Sequence, residues 1–375
     1  MIYTVITKPT RLCNADCNFC SSPPDDKLLW SFQDFKLFFD NIEPDLADSG
    51  FIIWHGGEPM LLGPDFYQQC AEYAWQKKPN LRFSMQTNLL LYDTNRWKPI
   101  FENIFQGSIS TSYETSVDER TLNGDPIAYK KRFERKLKEV IDDGFRPMVI
   151  STYTTENADQ AKEMYNLSLG YGDKAFPLRF NYRYPAGRES DQGERISPKH
   201  YGELLVELYN RWIQNPPVFT ITPLDQMLKK VIGEETQRCP WTRHCGGHFL
   251  GIEPNGDTYN CADFADLNDP HYRMGNLFKD NYKKINTSYA MRLMRRRRTH
   301  LPFDCTQCRH FNECEGGCMR DAVLYHHGLG GKFHYCESWM MVFDRIKNSI
   351  QTGEADQVIA KYGIDPNLVR KKLAA

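Results

Sequence analysis

The 375-residue chain has no apolar run approaching the roughly 20 residues that a membrane span requires. Its opening, Met-Ile-Tyr-Thr-Val-Ile-Thr-Lys-Pro-Thr, lacks the basic-then-apolar layout of a secretory signal. It also lacks a net charge of either sign: 25% of residues are charged and the formal balance is −1, so no global field selects nucleic acid or an anionic membrane. There is no internal repeat and no low-complexity linker. The 10 histidines show no metal-ligand spacing, and His326-His327 read as surface or packing residues. These absences leave a soluble, cytosolic protein, long enough for a full core and two domains.

What the chain does have is cysteine, 12 in all. In a reducing compartment clustered cysteines bind metal or act in redox chemistry rather than form disulfides. Cys13, Cys17 and Cys20 open the chain, and eight more lie between Cys239 and Cys336. Cys70, in the helical stretch Y-Q-Q-C-A-E-Y-A-W, reads as a buried spectator thiol.

Over the first 230 or so residues, short apolar runs alternate with amphipathic ones. Strands are expected at Tyr3–Thr7, Gly50–Trp54, Leu81–Gln86, Gly107–Ser110, Arg146–Thr152 and Leu178–Tyr182. Helices are expected at Cys17–Cys20, Ser31–Asn41, Pro64–Gln76, Thr94–Phe101, Tyr129–Asp143 and Ala158–Leu169, then at Lys199–Gln214, which with the segment Leu224–Ile232 leads to the later region. Strands and helices at this spacing indicate parallel βα units in an α/β fold. From Cys239 the texture changes to Gly, Cys, His, Asp and Asn, a composition that would draw stability from metal clusters. The expected division is 1–232, 233–338 and a helical tail at 339–375.

Cys13, Cys17 and Cys20 follow Cys-x3-Cys-x2-Cys, which suits a tight loop around one inorganic cluster. Iron–sulfur ligation normally uses four cysteines, so three would leave one iron open to a small ligand. The alternative is a zinc site completed by a distant His or Asp. The strand F-I-I-W-H ends in Gly56-Gly57-Glu58-Pro59, whose glycines allow close backbone approach at the strand end where α/β folds place their sites. Taken alone, that tetrapeptide could be a plain turn. Thr87-Asn88 end the next strand, and Ser110 and Ser112 occupy the same position on the one after.

In order, spacing and strand position these motifs resemble the radical S-adenosylmethionine (SAM) enzymes, whose hallmark is C-x3-C-x2-C followed by G-G-E-P. The resemblance implies a partial (β/α)6 barrel and a [4Fe–4S] cluster on Cys13, Cys17 and Cys20. It further implies that Gly56, Gly57, Glu58 and Pro59 hold the amino group of SAM by backbone contacts, with Asn88, Ser110 and Ser112 positioning the remainder. An electron from the cluster would cleave SAM to a 5′-deoxyadenosyl radical, which abstracts hydrogen from a substrate; the protein supplies orientation and exclusion of side reactions.

The later cysteines are Cys239, Cys245, Cys261, Cys305, Cys308, Cys314, Cys318 and Cys336. Eight thiolates make two complete four-ligand sites, for [4Fe–4S] clusters or for structural zinc. Their pattern resembles the SPASM extension of radical SAM enzymes, and Cys239 matches an additional ligand of the anaerobic sulfatase-maturating branch. The resemblance implies Cys239, Cys245, Cys261 and Cys318 for one auxiliary cluster and Cys305, Cys308, Cys314 and Cys336 for the other.

SPASM enzymes mostly modify peptides or proteins, with a reductant such as flavodoxin or ferredoxin. One reading is a maturase of a ribosomally made peptide, installing a cross-link, cyclophane, thioether or epimerised centre. A second is an anaerobic sulfatase-maturating enzyme making formylglycine. That branch carries an Asp directly after the ligand equivalent to Cys261, whereas here the order is Cys261-Ala262-Asp263, and its S-x-D-G is replaced by Ser110-Thr111-Ser112-Tyr113-Glu114. Asp263 is the candidate base, since a carboxylate beside a cluster could take the proton released on substrate oxidation; it could equally cap a turn. Tyr113 and Glu114 are expected to line the substrate cleft. A third reading, from another class, is a non-catalytic iron–sulfur electron carrier or sensor. With twelve residues ahead of Cys13, a leader peptide would dock on the SPASM region, the barrel rim or a separate protein. The basic run Arg295–Arg298 reads as a solvated helix face or as that dock.

Overall fold

The computed structural model describes every residue except 23–26, 117–118, 190–194, 215–218, 235–238, 240–241, 243, 268, 327 and 375. The strands in chain order are β1 Ile2–Thr7, β2 Asp16–Cys17, β3 Leu46–Trp54, β4 Arg82–Gln86, β5 Ile109–Ser112, β6 Arg120–Thr121, β7 Met148–Tyr153, β8 Leu178–Tyr182, β9 Ile221–Thr222, β10 Phe249–Ile252, β11 Asp257–Tyr259 and β12 Gly275–Asn276. The first helices are α1 Phe32–Ile42, α2 Pro64–Lys77, α3 Thr94–Asn103, α4 Pro126–Asp142, α5 Gln160–Gly170, α6 Pro198–Gln214 and α7 Leu224–Ile232. They are followed by α8 Cys245–His248, α9 Ala262–Asp266, α10 Tyr282–Asn286, α11 Tyr289–Arg296, α12 Phe303–Thr306, α13 Phe311–Cys314 and α14 Met319–His326. The tail is helical, as expected, in α15 Cys336–Thr352, α16 Asp356–Ala360 and α17 Pro366–Ala374. From β1 to α6, six strands (β1, β3, β4, β5, β7, β8) alternate with six helices, the chain order of a (β/α)6 partial barrel.

Two compact units divide the chain: 1–149, 184–193 and 244–298 form the first, and 150–183, 194–243 and 299–375 the second. In the first unit the sheet order is β12-β11-β10-β1-β3-β4-β5, with β10, β1, β3, β4 and β5 parallel and the β11–β12 hairpin antiparallel at the edge. α1 begins with a reciprocal cap: the Asp34 N–H donates to Ser31 Oγ at 3.3 Å and the Ser31 N–H to Asp34 Oδ2 at 2.7 Å. Its i, i+3, i+4, i+7 residues Phe35, Phe38, Phe39 and Ile42 are buried. Trp54, at the end of β3, packs on Phe35, Tyr67 and Phe83 at ring separations of 5.7, 5.2 and 6.5 Å. Cys70 is buried on α2, and burial pushes its thiol well above the usual range, as expected of a spectator.

The second unit holds β8 and β9 in parallel pairing and the helices α5, α6, α7 and α12–α17. Its core packs α6 on α15, where Tyr209 Oη and Ser349 Oγ share a buried hydrogen bond of 2.8 Å. Tyr182, Tyr201, Tyr335 and Trp339 form an aromatic cluster beside it.

The expected helix at Cys17–Cys20 is not formed. Four residues cannot nucleate a free-standing helix; instead Asp16–Cys17 pair with Arg120–Thr121 as a two-stranded ribbon. β10 was not anticipated either. It comes from the cysteine-rich region yet lies parallel to β1, Thr7 opposite Ile252.

Candidate functional site

In the first unit, the loop after β1 carries Cys13, Cys17 and Cys20, and the loop after β3 carries Gly56–Pro59. The two loops are laced together by backbone: the Gly57 N–H donates to Thr10 O at 2.9 Å and the Glu58 N–H to Leu12 O at 2.7 Å. A Cβ on Gly57 would lie 2.1 Å from Leu12 O and 2.5 Å from Arg11 O, and Gly56 has φ +112°, so neither position accepts a side chain. The glycines therefore bring the two motifs into contact.

Glu58 points inward. Its carboxylate accepts from the Met60 N–H (2.9 Å), Thr87 Oγ1 (2.7 Å) and the Asn88 N–H (2.8 Å), tying the end of β3 to the end of β4. Burial pushes its pKa up to about 7, against those three donors. Pro59 is buried behind it, its carbonyl accepting from Tyr67 Oη at 2.5 Å.

Asn88 reaches the cysteine loop. Its Nδ2 donates to Asn14 Oδ1 at 2.7 Å and lies 3.7 Å from Cys13 Sγ, which also accepts from the Ala15 N–H at 3.4 Å. Burial pushes the Cys13 thiol up to about 12, with Glu58 adding to the effect, and burial raises Cys17 and Cys20 as well. Ser110 and Ser112 are bridged by Gln86: Ser110 Oγ donates to Gln86 Oε1, and Gln86 Nε2 donates to Ser112 Oγ at 2.8 Å. Gln86 is thus part of the same rim, a position that sequence reading did not single out.

Tyr113 and Glu114 do not line an open cleft. Both are buried, Tyr113 donating to Glu134 at 2.8 Å. Glu114 accepts from Arg120 Nε and Nη2, at 2.5 and 3.0 Å, while Arg120 Nη1 donates to Cys17 Sγ at 3.5 Å. Arg188 clamps the loop from another segment, donating to Cys17 O at 2.9 Å and to Asp16, while its N–H donates to Cys20 O at 3.1 Å.

At the carboxyl ends of the adjacent strands β10, β1 and β3 stand Glu253, Lys8 and His55. Lys8 is fully buried, with Glu253 Oε1 at 3.0 Å, Asp266 Oδ1 at 2.5 Å and Ala262 O at 3.4 Å. Arg11 joins through Glu253 at 2.7 Å. Burial raises Asp266 to about 6 despite Lys8, and burial together with Lys8 lowers His55 to about 4. Asp263 sits in the first turn of α9, the helix that starts immediately after Cys261 and that Lys8 holds. In the same unit Cys245 Sγ accepts from Asn260 Nδ2 at 3.4 Å.

In the second unit Cys305, Cys308, Cys314 and Cys336 all line one cavity of about 330 Å³, with Phe311, Phe333, Arg309 and Lys332 among its other walls. Burial pushes Cys314 up to about 12, and Cys308 Sγ accepts from the His310 N–H at 3.4 Å. Cys318 is held well above the usual thiol range by burial and by Asp321, with Cys239 a further contributor. The expected quartet of Cys239, Cys245, Cys261 and Cys318 is thus divided, two in each unit. Among the described residues none of the twelve cysteines is joined in a disulfide. Among the described residues no three Cys, His, Asp or Glu side chains are gathered as a single metal ion requires; the four thiols of the cavity stand around a space instead.

The basic run is only half solvated. Arg296 and Arg298 are exposed, but Arg297 is buried and Arg295 turns back to Asn286, at 2.5 Å to Oδ1 and 3.3 Å to O. His326 packs near His334, 5.9 Å between rings, and His327 lies outside the described residues. Among the described residues no helix is long and apolar enough to cross a membrane.

Fold and cysteine pattern together resemble those of a radical SAM barrel with a SPASM extension. The SPASM iron-sulfur cluster-binding domain matches residues 239–309. The cysteine-type anaerobic sulfatase-maturating enzyme of Clostridium perfringens is 24% identical over 305 residues, 78% of this chain and 80% of that protein. The mycofactocin maturase MftC of Mycobacterium tuberculosis is 27% identical over 329 residues, 83% and 76% of the two chains. Among solved structures, native anSMEcpe with bound AdoMet superposes with a TM-score of 0.78 at 20% identity, covering 94% of this chain and 99% of the other. SuiB of Streptococcus suis bound to its precursor peptide SuiA gives 0.64 at 15% identity, covering 88% and 75%.

Proposed function

We propose that this chain is a radical SAM/SPASM peptide maturase: an oxidoreductase-type enzyme that reductively cleaves SAM and abstracts a hydrogen from a peptide side chain or backbone. The observation that carries this reading is the lacing of the Cys13–Cys20 loop to Gly56–Glu58. Two motifs more than thirty residues apart in sequence form one rim, and a side chain on either glycine would part them. Cys13, Cys17 and Cys20 would hold a [4Fe–4S] cluster, whose electron would cleave bound SAM into methionine and a 5′-deoxyadenosyl radical, the acceptor of a hydrogen atom from the peptide. The donors around these sulfurs, the Ala15 N–H, Asn88 and Arg120, suit thiolate ligands. The Gly56–Pro59 backbone, whose Gly57 and Glu58 N–H groups are already committed, would offer carbonyls to the SAM amino group, while Asn88 and the Gln86–Ser110–Ser112 chain orient the rest.

Two auxiliary clusters, for three in all, follow the same reasoning. The four-thiol cavity fits a cluster with space between its ligands better than a closed zinc site, whose sulfurs converge on one ion. Cys239, Cys245, Cys261 and Cys318 would hold the other. Asp263, on the α9 helix that Lys8 holds, would take the proton released on substrate oxidation next to that second cluster. A flavodoxin- or ferredoxin-type protein would supply the electron, and the three regions 1–232, 233–338 and 339–375 would be barrel, cluster domain and tail of a cytoplasmic enzyme.

Sulfatase maturation is the second reading, favoured by the superposition on anSMEcpe over nearly the full length of both chains. Against it stand Ala262 between Cys261 and Asp263, and the burial of Tyr113 and Glu114 where that branch has S-x-D-G. Anaerobic coexpression with candidate precursor peptides and with a sulfatase, followed by mass spectrometry, separates the two. Loss of two hydrogens, or a mass-neutral exchange of an α-hydrogen, in a precursor supports peptide maturation; formylglycine in the sulfatase alone overturns it.

A further inference from the structure

The two-stranded ribbon has a consequence for the cluster itself. β2 and β6 pair so that Arg120 stands directly opposite Cys17, one of the three expected iron ligands. The arginine is held in place from three directions. Its Nε and Nη2 grip the Glu114 carboxylate, which is almost wholly buried, at 2.5 and 3.0 Å. The guanidinium also lies 4.9 Å over the Phe19 ring, within the same cysteine loop. The remaining arm, Nη1, donates to Cys17 Sγ at 3.5 Å. A planar fork pinned by a bidentate carboxylate and an aromatic face loses little freedom when its free arm bonds to a third group.

We infer that Arg120 is a positioning residue that sets the reduction potential of the cluster bound by Cys13, Cys17 and Cys20, with Glu114 limiting its effect. The inference rests on the radical SAM reading for the presence of that cluster. Reduction adds negative charge to the cluster and its thiolates. A buried cation donating to one of those sulfurs stabilises the reduced form and raises the potential. The Glu114 carboxylate beside it cancels part of that charge and holds the potential down. Arg188 touches the same loop but through Cys17 O and Asp16, not through a sulfur, and serves as the comparison.

The test is a potentiometric titration, followed by EPR, of full-length reconstituted protein. The signal of this cluster is identified as the one lost in Cys17→Ala. Arg120→Gln should move its midpoint to more negative potential, Glu114→Gln should move it to more positive potential, and Arg188→Gln, which removes a more exposed charge that donates to no sulfur, should move it less than Arg120→Gln. Opposite signs for the first two are not produced by general loosening of the loop. If Arg120→Gln fails to load iron, Glu114→Gln decides alone: an unchanged or more negative midpoint overturns the inference. An Arg188→Gln shift as large as that of Arg120→Gln also overturns it. Whether SAM perturbs the same signal in the unaltered protein is a separate observation, and its failure would count against the radical SAM reading rather than against Arg120.

Discussion

Glu58 is where the site and the fold depend on a single carboxylate. Its three hydrogen-bond donors come from the ends of β3 and β4, yet burial raises its pKa to about 7 from an ordinary 4.5. A carboxyl raised in the folded state binds its proton more tightly there than in the unfolded chain. The stability tied to this proton is therefore fully present below about pH 4.5 and is lost as pH rises through about 7. The span corresponds to up to about 3 kcal/mol. Thermal unfolding between pH 5 and 8 should show the unaltered protein losing stability relative to Glu58→Gln as pH rises; parallel pH profiles for the two would refute the assignment. The same residue shows what sequence could and could not reveal. Its place in Gly56-Gly57-Glu58-Pro59 marked it as functional, but its inward orientation depends on Thr87 and Asn88, about thirty residues away.

Among the elements, α9 is the one whose position matters most for the proposed chemistry, because it begins at Cys261 and carries Asp263. It is held by Lys8 from the end of β1, through Ala262 O, Asp266 and Glu253. Removing one partner of a buried ion pair leaves uncompensated charge, so Lys8→Met should cost about 3–5 kcal/mol. Lys8→Met with Asp266→Asn should recover part of that loss in denaturant unfolding; no recovery would mean the pair does not carry the stability. The barrel strands and the long helices were legible because each repeats an apolar period over many residues, as in Phe35, Phe38, Phe39 and Ile42. The ribbon of β2 and β6 was not, since two-residue strands have no period and Arg120 lies 103 residues from Cys17. β10 was hidden for a related reason: its four residues are buried without alternation and sit among the glycines and cysteines of the later region. The cysteine positions were legible throughout, whereas Gln86, Arg120, Arg188 and Lys8 act through partners that only the folded chain supplies.

Across the whole molecule, eleven of the twelve cysteines would be cluster ligands in the proposed enzyme, and Cys70 is a buried core thiol. The account stands or falls on whether the opening loop binds and cleaves SAM. The most direct measurement is 5′-deoxyadenosine release from anaerobically reconstituted, dithionite-reduced full-length protein, alongside iron per chain. The account predicts release of 5′-deoxyadenosine with about twelve irons per chain, as expected for three cubane clusters. It also predicts loss of that release in Cys13→Ala, Cys17→Ala and Cys20→Ala, with about eight irons retained on the remaining cysteines. Absence of 5′-deoxyadenosine from iron-replete, reduced protein would contradict it and favour an electron carrier.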